Sequence, residues 1–167
     1  MKRPFIRLLL AACAALVVAS TAQGGALTDY LENKLVDHLF RATTYTPGNV
    51  YVGLLTGACS DSSAGTEVSG GSYARVLVTK GDAAWKGTHG SASGNSSGTN
   101  GTISNAAAVT FPSPSANWGV VTHWGIYDAS SGGNLLVCAA LTVSKTINNG
   151  DAAPSFAIDA LTIQVDN

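Results

Sequence analysis

VVTHWGIYDASSGGNLLVCAAL, residues 120–141, decides the fold. The first eight residues and the last seven are β-branched, aromatic or aliphatic almost throughout, the composition that suits a pleated, half-buried surface. Between them, Ser130-Ser131-Gly132-Gly133-Asn134 supplies turn chemistry. The stretch therefore predicts two strands joined by a turn. Trp124 and Tyr127 stand three apart and fall on opposite faces of the first strand, so at least one of them must pack inside.

The same pattern recurs outward from this pair. Residues 50–56, 73–79, 107–111 and 160–165 also read as strands, with a shorter one at 155–158. Ser69-Gly70-Gly71 and Asn148-Asn149-Gly150-Asp151 mark turns, the second a hairpin tip because Asn-Gly tolerates positive φ. About seven short strands at this spacing predict a mainly β fold, an antiparallel β-sandwich or jelly roll.

Only residues 26–40, ALTDYLENKLVDHLF, read as helix. Thr28 is placed to cap it, Asp29 and Glu32 lie in the first turn where the helix dipole favours negative charge, and Arg41 lies at the far end. Leu27, Leu31, Leu35 and Leu39 recur every four residues and, joined by Val36 and Phe40, form one apolar stripe that something must cover. One reading makes the stripe an interface between copies. The other folds the helix back over its own β-domain.

The N-terminus reads as a secretory leader: Lys2, Arg3 and Arg7, then a 12-residue apolar run, then Ser20-Thr21-Ala22 before a cut. The run falls short of the ~20 residues that span a bilayer, so no permanent membrane anchor is expected. A competing reading of Leu10-Ala11-Ala12-Cys13 is a lipobox with Cys13 lipidated. The expected organisation is a signal peptide at 1–22, a helical arm at 23–45 and a β-domain at 46–167. Export directs the product to the extracellular space, the periplasm or the cell surface.

Cleavage leaves six Lys and Arg against ten Asp and Glu, a net charge of −4, with no electrostatic footprint for nucleic acid. Charged residues are only 11% of the chain, and a surface rich in Ser, Thr, Asn and Gly suits packing against copies or partners. Cys59 and Cys138 would survive cleavage. They are either a disulfide, worth roughly 4 kcal/mol for so long a loop, or Cys138 is simply a small buried hydrophobe.

No arrangement of residues predicts catalysis, a cofactor or a metal. Gly94-Asn95-Ser96-Ser97-Gly98 matches a hydrolase elbow in letters, but no strand leads into it and no helix follows. His38, His89 and His123 lie far apart, and the carboxylates at Asp61 and Glu67 lack the alternating oxygen ligands of a calcium loop. Residues 87–101, GTHGSASGNSSGTNG, have no large apolar side chain. They read either as a linker or hairpin tip, or as an exposed recognition loop with Trp85, His89, Asn95 and Asn100 as its candidate contacts. Trp85, Trp118, Trp124, Tyr51, Tyr73 and Tyr127 could form a sugar-binding platform, although core or interface use suits most of them better.

The blocks LTDYLENKLVDHLFR, EVSGGSYARV, TISNAAAVTF, NWGVVTHWGIYDASSGGNLL and KTINNGD, in this order, resemble a family of small virion proteins of tailed bacteriophages, described as tail fibre or capsid fibre proteins. The resemblance runs from Ala26 to Asp166. It implies a structural particle protein with a short N-terminal helix, an antiparallel β-domain, a place on the virion and no catalytic residues. Residues 87–101 are longer and more polar than the family pattern implies, and the leader departs from it. The favoured expectation is a non-enzymatic homo-oligomer joined through Leu27, Leu31, Leu35 and Leu39, assembling on a virion or surface. The alternative is a secreted carbohydrate- or surface-binding module, which glycan binding lost on replacing Trp85 or Trp118 would single out.

Overall fold

The computed structural model describes residues 26–98 and 101–165. The leader, Cys13 and Asn100 lie outside the described residues. Among the described residues the chain is mainly β, with one helix and only antiparallel pairings.

The central strands are β7 (Gly119–Tyr127) and β8 (Leu135–Ile147), the pair that residues 120–141 predict. Around them a five-stranded sheet forms in the order β1-β8-β7-β2-β3, with β1 at Ala26–Leu27, β2 at Val50–Leu55 and β3 at Val76–Val78. Two smaller sheets complete the body. One orders β10 (Thr162–Gln164), β5 (Thr102–Asn105) and β4 (Trp85–Lys86); the other pairs β6 (Val109–Thr110) with β9 (Ser155–Phe156).

The core lies between the large sheet and the small ones. Register sets Val52 opposite Ile126 and Leu54 opposite Trp124, which places these four on one face of the large sheet. That face joins Val109, Leu161 and Ile163 in one buried cluster. The Phe156 ring meets both Trp124 and Phe111 edge-on, with centroids 6.4 and 6.1 Å apart. Trp124 and Tyr127 are both buried, because β7 is covered on its two faces.

The opposite face is covered by polar chemistry. Gly53 and Gly125 stand opposite each other in β2 and β7. The missing side chains leave a slot into which the Tyr127 ring lies down: a Cβ on Gly53 would meet Tyr127 Cε2 at 2.9 Å, and one on Gly125 would meet Leu135 Cδ1 at 2.6 Å. The Arg75 guanidinium stacks on that ring, 3.4 Å from its centroid.

The helix, α1 (Asp29–Phe40), starts later than the leucine repeat suggests. Leu27 is not helical. It pairs with Val137 as part of β1. Thr28 does not cap the helix with its side chain; its hydroxyl donates to Leu135 O at 2.6 Å and its N–H to Leu136 O at 3.0 Å, which draws the preceding residues onto the edge of β8. A hydroxyl that finds a buried strand carbonyl satisfies that group and cannot also turn back to the helix.

Strands β4 and β5 have no expected counterpart, and β8 runs on to Ile147, six residues past the expected end. Asn105 explains how so short a strand as β5 is held. Fully buried, it donates from Nδ2 to Ala107 O and Ala157 O, both at 2.7 Å, and accepts from Leu161 N–H at 2.8 Å. One amide thus clamps β5 to the segment leading into β10.

Candidate functional site

The helix meets the body along only part of its length. Leu31 packs on the core beside Leu27 and Tyr30, yet no residue of α1 is fully buried. Beyond Leu31 the helix and the body separate, leaving an apolar groove of about 470 Å³. Leu35, Val50, Trp85, Ile103 and Val165 line it, as do Tyr45, Pro47 and Lys80. The helix then shows its remaining apolar residues to solvent: Val36 is 51% exposed, Leu39 67% and Phe40 80%.

The four leucines of the stripe therefore do three different things. Leu27 lies in a strand, Leu31 and Leu35 face the body, and Leu39 is exposed with Val36 and Phe40. The exposed row Glu32, Val36 and Phe40 follows i, i+4 spacing, so Val36 and Phe40, expected in one stripe with the leucines, turn away from the side that Leu31 and Leu35 present to the body.

The candidate recognition loop is divided as well. Trp85 does not belong to it: β4 carries this residue, and its half-buried indole lines the groove and packs on the core. The apolar area of an indole is better satisfied there than in a polar loop. His89 and Asn95 are exposed. Residues 88–98 are folded on themselves, with the Thr88 hydroxyl donating to Ser97 O at 2.8 Å and Ser91 N–H donating to His89 Nδ1 at 3.3 Å. Beside them Lys86 Nζ and the Ser104 hydroxyl hold the Asp159 carboxylate at 2.5 and 2.7 Å. These two hydrogen bonds hold its pKa below the usual carboxylate value.

The polar clusters have structural employment. Arg75 Nε and Nη2 grip Glu67 Oε1 and Oε2, each at 2.7 Å, and Nη1 donates to Ala129 O at 2.7 Å and Gly132 O at 2.8 Å. The Tyr73 hydroxyl donates to Glu67 Oε1 at 2.8 Å and accepts from Leu54 N–H at 2.9 Å. Glu67 is thus taken by arginine and tyrosine, and its carboxylate is not part of a cation loop. Ser96 Oγ accepts from Thr88 N–H in an exposed loop, with neither strand nor helix around it. Trp118 is buried and donates its indole N–H to Gly71 O at 2.9 Å, so it belongs to no surface platform. Among the described residues, no group of three or more His, Cys, Asp or Glu could hold a metal ion. No helix there is long and apolar enough to cross a membrane.

Burial, reinforced by the Glu67 charge, pushes the Tyr127 hydroxyl up to about 12, and burial pushes Tyr73 higher still. The unfolded chain, with tyrosines near 10, loses these protons first, so stability present below about pH 10 is lost as pH rises towards 12. For Tyr127 alone the full loss is on the order of 3 kcal/mol. Denaturant midpoints measured from pH 9 to 12 are expected to fall more steeply for the native chain than for Tyr127→Phe. Parallel curves for the two would refute the assignment.

Cys59 and Cys138 are joined as a disulfide with Cα atoms 6.2 Å apart. The bridge ties the loop after β2 to the strand that carries β1, and Asp61 in that loop accepts from Asp29 N–H at 3.0 Å. The start of the helix is therefore seated on a covalently anchored loop.

Among the described residues the architecture is thus an antiparallel β-body with one helix and an open apolar seam between them. The family model described as "Podophage GP4 fiber I protein gp80" matches residues 26–164, and the chain belongs to this family of phage fibre proteins. Comparison with curated proteins found no match.

Proposed function

We propose that the chain is a non-enzymatic fibre subunit that associates with its own copies through α1 and turns the loop at residues 87–98 outward. The observation that carries this reading is the exposure of Val36, Leu39 and Phe40 on a helix without one fully buried residue. Such a helix is poorly supported by its own domain, and most helical stability comes from packing an apolar face. Covering each of these side chains contributes about 1.5–3 kcal/mol before the cost of association. Membership of a phage fibre family supports a place on the virion, and the leader at residues 1–22 supports export on the way to assembly.

Light scattering on the processed chain tests it. The native chain is expected to be an oligomer at micromolar concentration, and Leu39→Ser combined with Val36→Ser a monomer with an unchanged circular dichroism spectrum. A monomeric native chain, or a variant with undiminished mass, would overturn the proposal.

A further inference from the structure

We infer that copies join through two different surfaces: the Val36, Leu39 and Phe40 end of one helix seats in the apolar groove of the next copy. This rests on the reading that the chain self-associates through α1, and it names what each copy offers the other. Among the described residues, the helix and the body beside it present two unsatisfied apolar features, a groove of about 470 Å³ and a row of exposed side chains. They cannot satisfy each other within one molecule. At about 100° per residue, Val36 and Phe40 point roughly 100° and 140° round the helix from Leu35, which lines the groove. Leu39 lies one turn beyond Leu35, where its 67% exposure shows the body no longer covers the helix. Turning the row into the groove would turn Leu31 and Leu35 out of it.

Charge points to the same pairing. Glu32 shares the row with Val36 and Phe40, four and eight residues on, and has no ion-pair partner among the described residues. Lys80 lines the groove, donates to Pro47 O, and likewise has no carboxylate partner among the described residues. A row entering the groove brings an unpaired acid to an unpaired base. Because row and groove are different patches, the contact is heterologous, the kind that closes into a ring or propagates as a filament.

Gly48 supplies the means of a test. It lies at the groove, and a Cβ there meets nothing within 4 Å, so Gly48→Trp should fold and fill the mouth. Phe40→Asp removes the insert at a position 80% exposed. Each variant alone is expected to be monomeric by native mass spectrometry where the native chain is oligomeric. Mixed in equal amounts they are expected to form a 1:1 dimer, since one chain keeps its groove and the other its insert. A second measurement uses Phe40→Cys and Gly48→Cys chains under mild oxidation: a dimer cross-linked between 40 and 48 is expected only in the mixture. Cross-linking of Phe40→Cys to itself would overturn the inference in favour of a two-fold helix contact, and a mixture without dimer or cross-link would overturn it outright. A native chain that is itself monomeric would overturn the parent reading as well.

Discussion

Replacing Arg75 by Met is expected to lower stability by about 2–3 kcal/mol, the cost of leaving a half-buried carboxylate and two carbonyls without their donor. The Arg75 side chain is 6% exposed and joins three pieces of chain: Glu67 before β3, the Ala129 and Gly132 carbonyls of the β7–β8 turn, and the Tyr127 ring beneath. Methionine fills some of the space but strands the Glu67 carboxylate and two carbonyls. Calorimetry should show the melting temperature falling by on the order of 10 °C. Arg75→Lys is expected to recover only part of this, because an ammonium cannot donate as a flat fork to Glu67 and to the turn together. A melting temperature within a degree or two of native for Arg75→Met would show that the network contributes nothing net.

Removing the Cys59–Cys138 bridge by the double change to Ser is expected to cost about 4 kcal/mol, from the entropy regained by an unfolded chain no longer closed across 79 residues. The cost should not be uniform. The anchored loop holds Asp29 N–H through Asp61 O, so α1 should become sensitive to protease before the β-body does. Denaturant titration and limited proteolysis, each with and without reductant, measure the two effects. Equal midpoints for the native and double-Ser chains, or cleavage starting in the β-body, would count against the role given to the bridge.

Both predictions concern contacts between segments far apart in the chain, and these are the parts that sequence order conceals. Arg75 and Glu67 are close in sequence, but the other partners of Arg75, the Ala129 and Gly132 carbonyls, come from a turn that reads mostly as Ser, Gly and Asn. The candidate site was legible in half. Leu31, Leu35 and Leu39 announced an apolar face, whereas the groove exists because Trp85 and Ile103 arrive from β4 and β5 and Val165 from the end of β10. Trp85 read as a loop residue because a two-residue strand has no periodicity to detect; it forms only where β5 offers Asn105 as its partner.

By itself, the sequence determined what is local. Alternating β-branched and aromatic residues around a Gly-rich turn set β7 and β8, and a four-residue repeat with acidic residues in its first turn set α1, because backbone preference and side-chain period act over a few residues. Tertiary structure alone decided where each element ends and what it faces. Thr28 bonded to β8 and took Leu27 out of the helix, Asn105 held β5 to the segment before β10, and the body ended short of Phe40. The physical reason is that a hydroxyl, an amide or an apolar stripe has several adequate partners along a chain, and only the folded arrangement of the other segments selects among them.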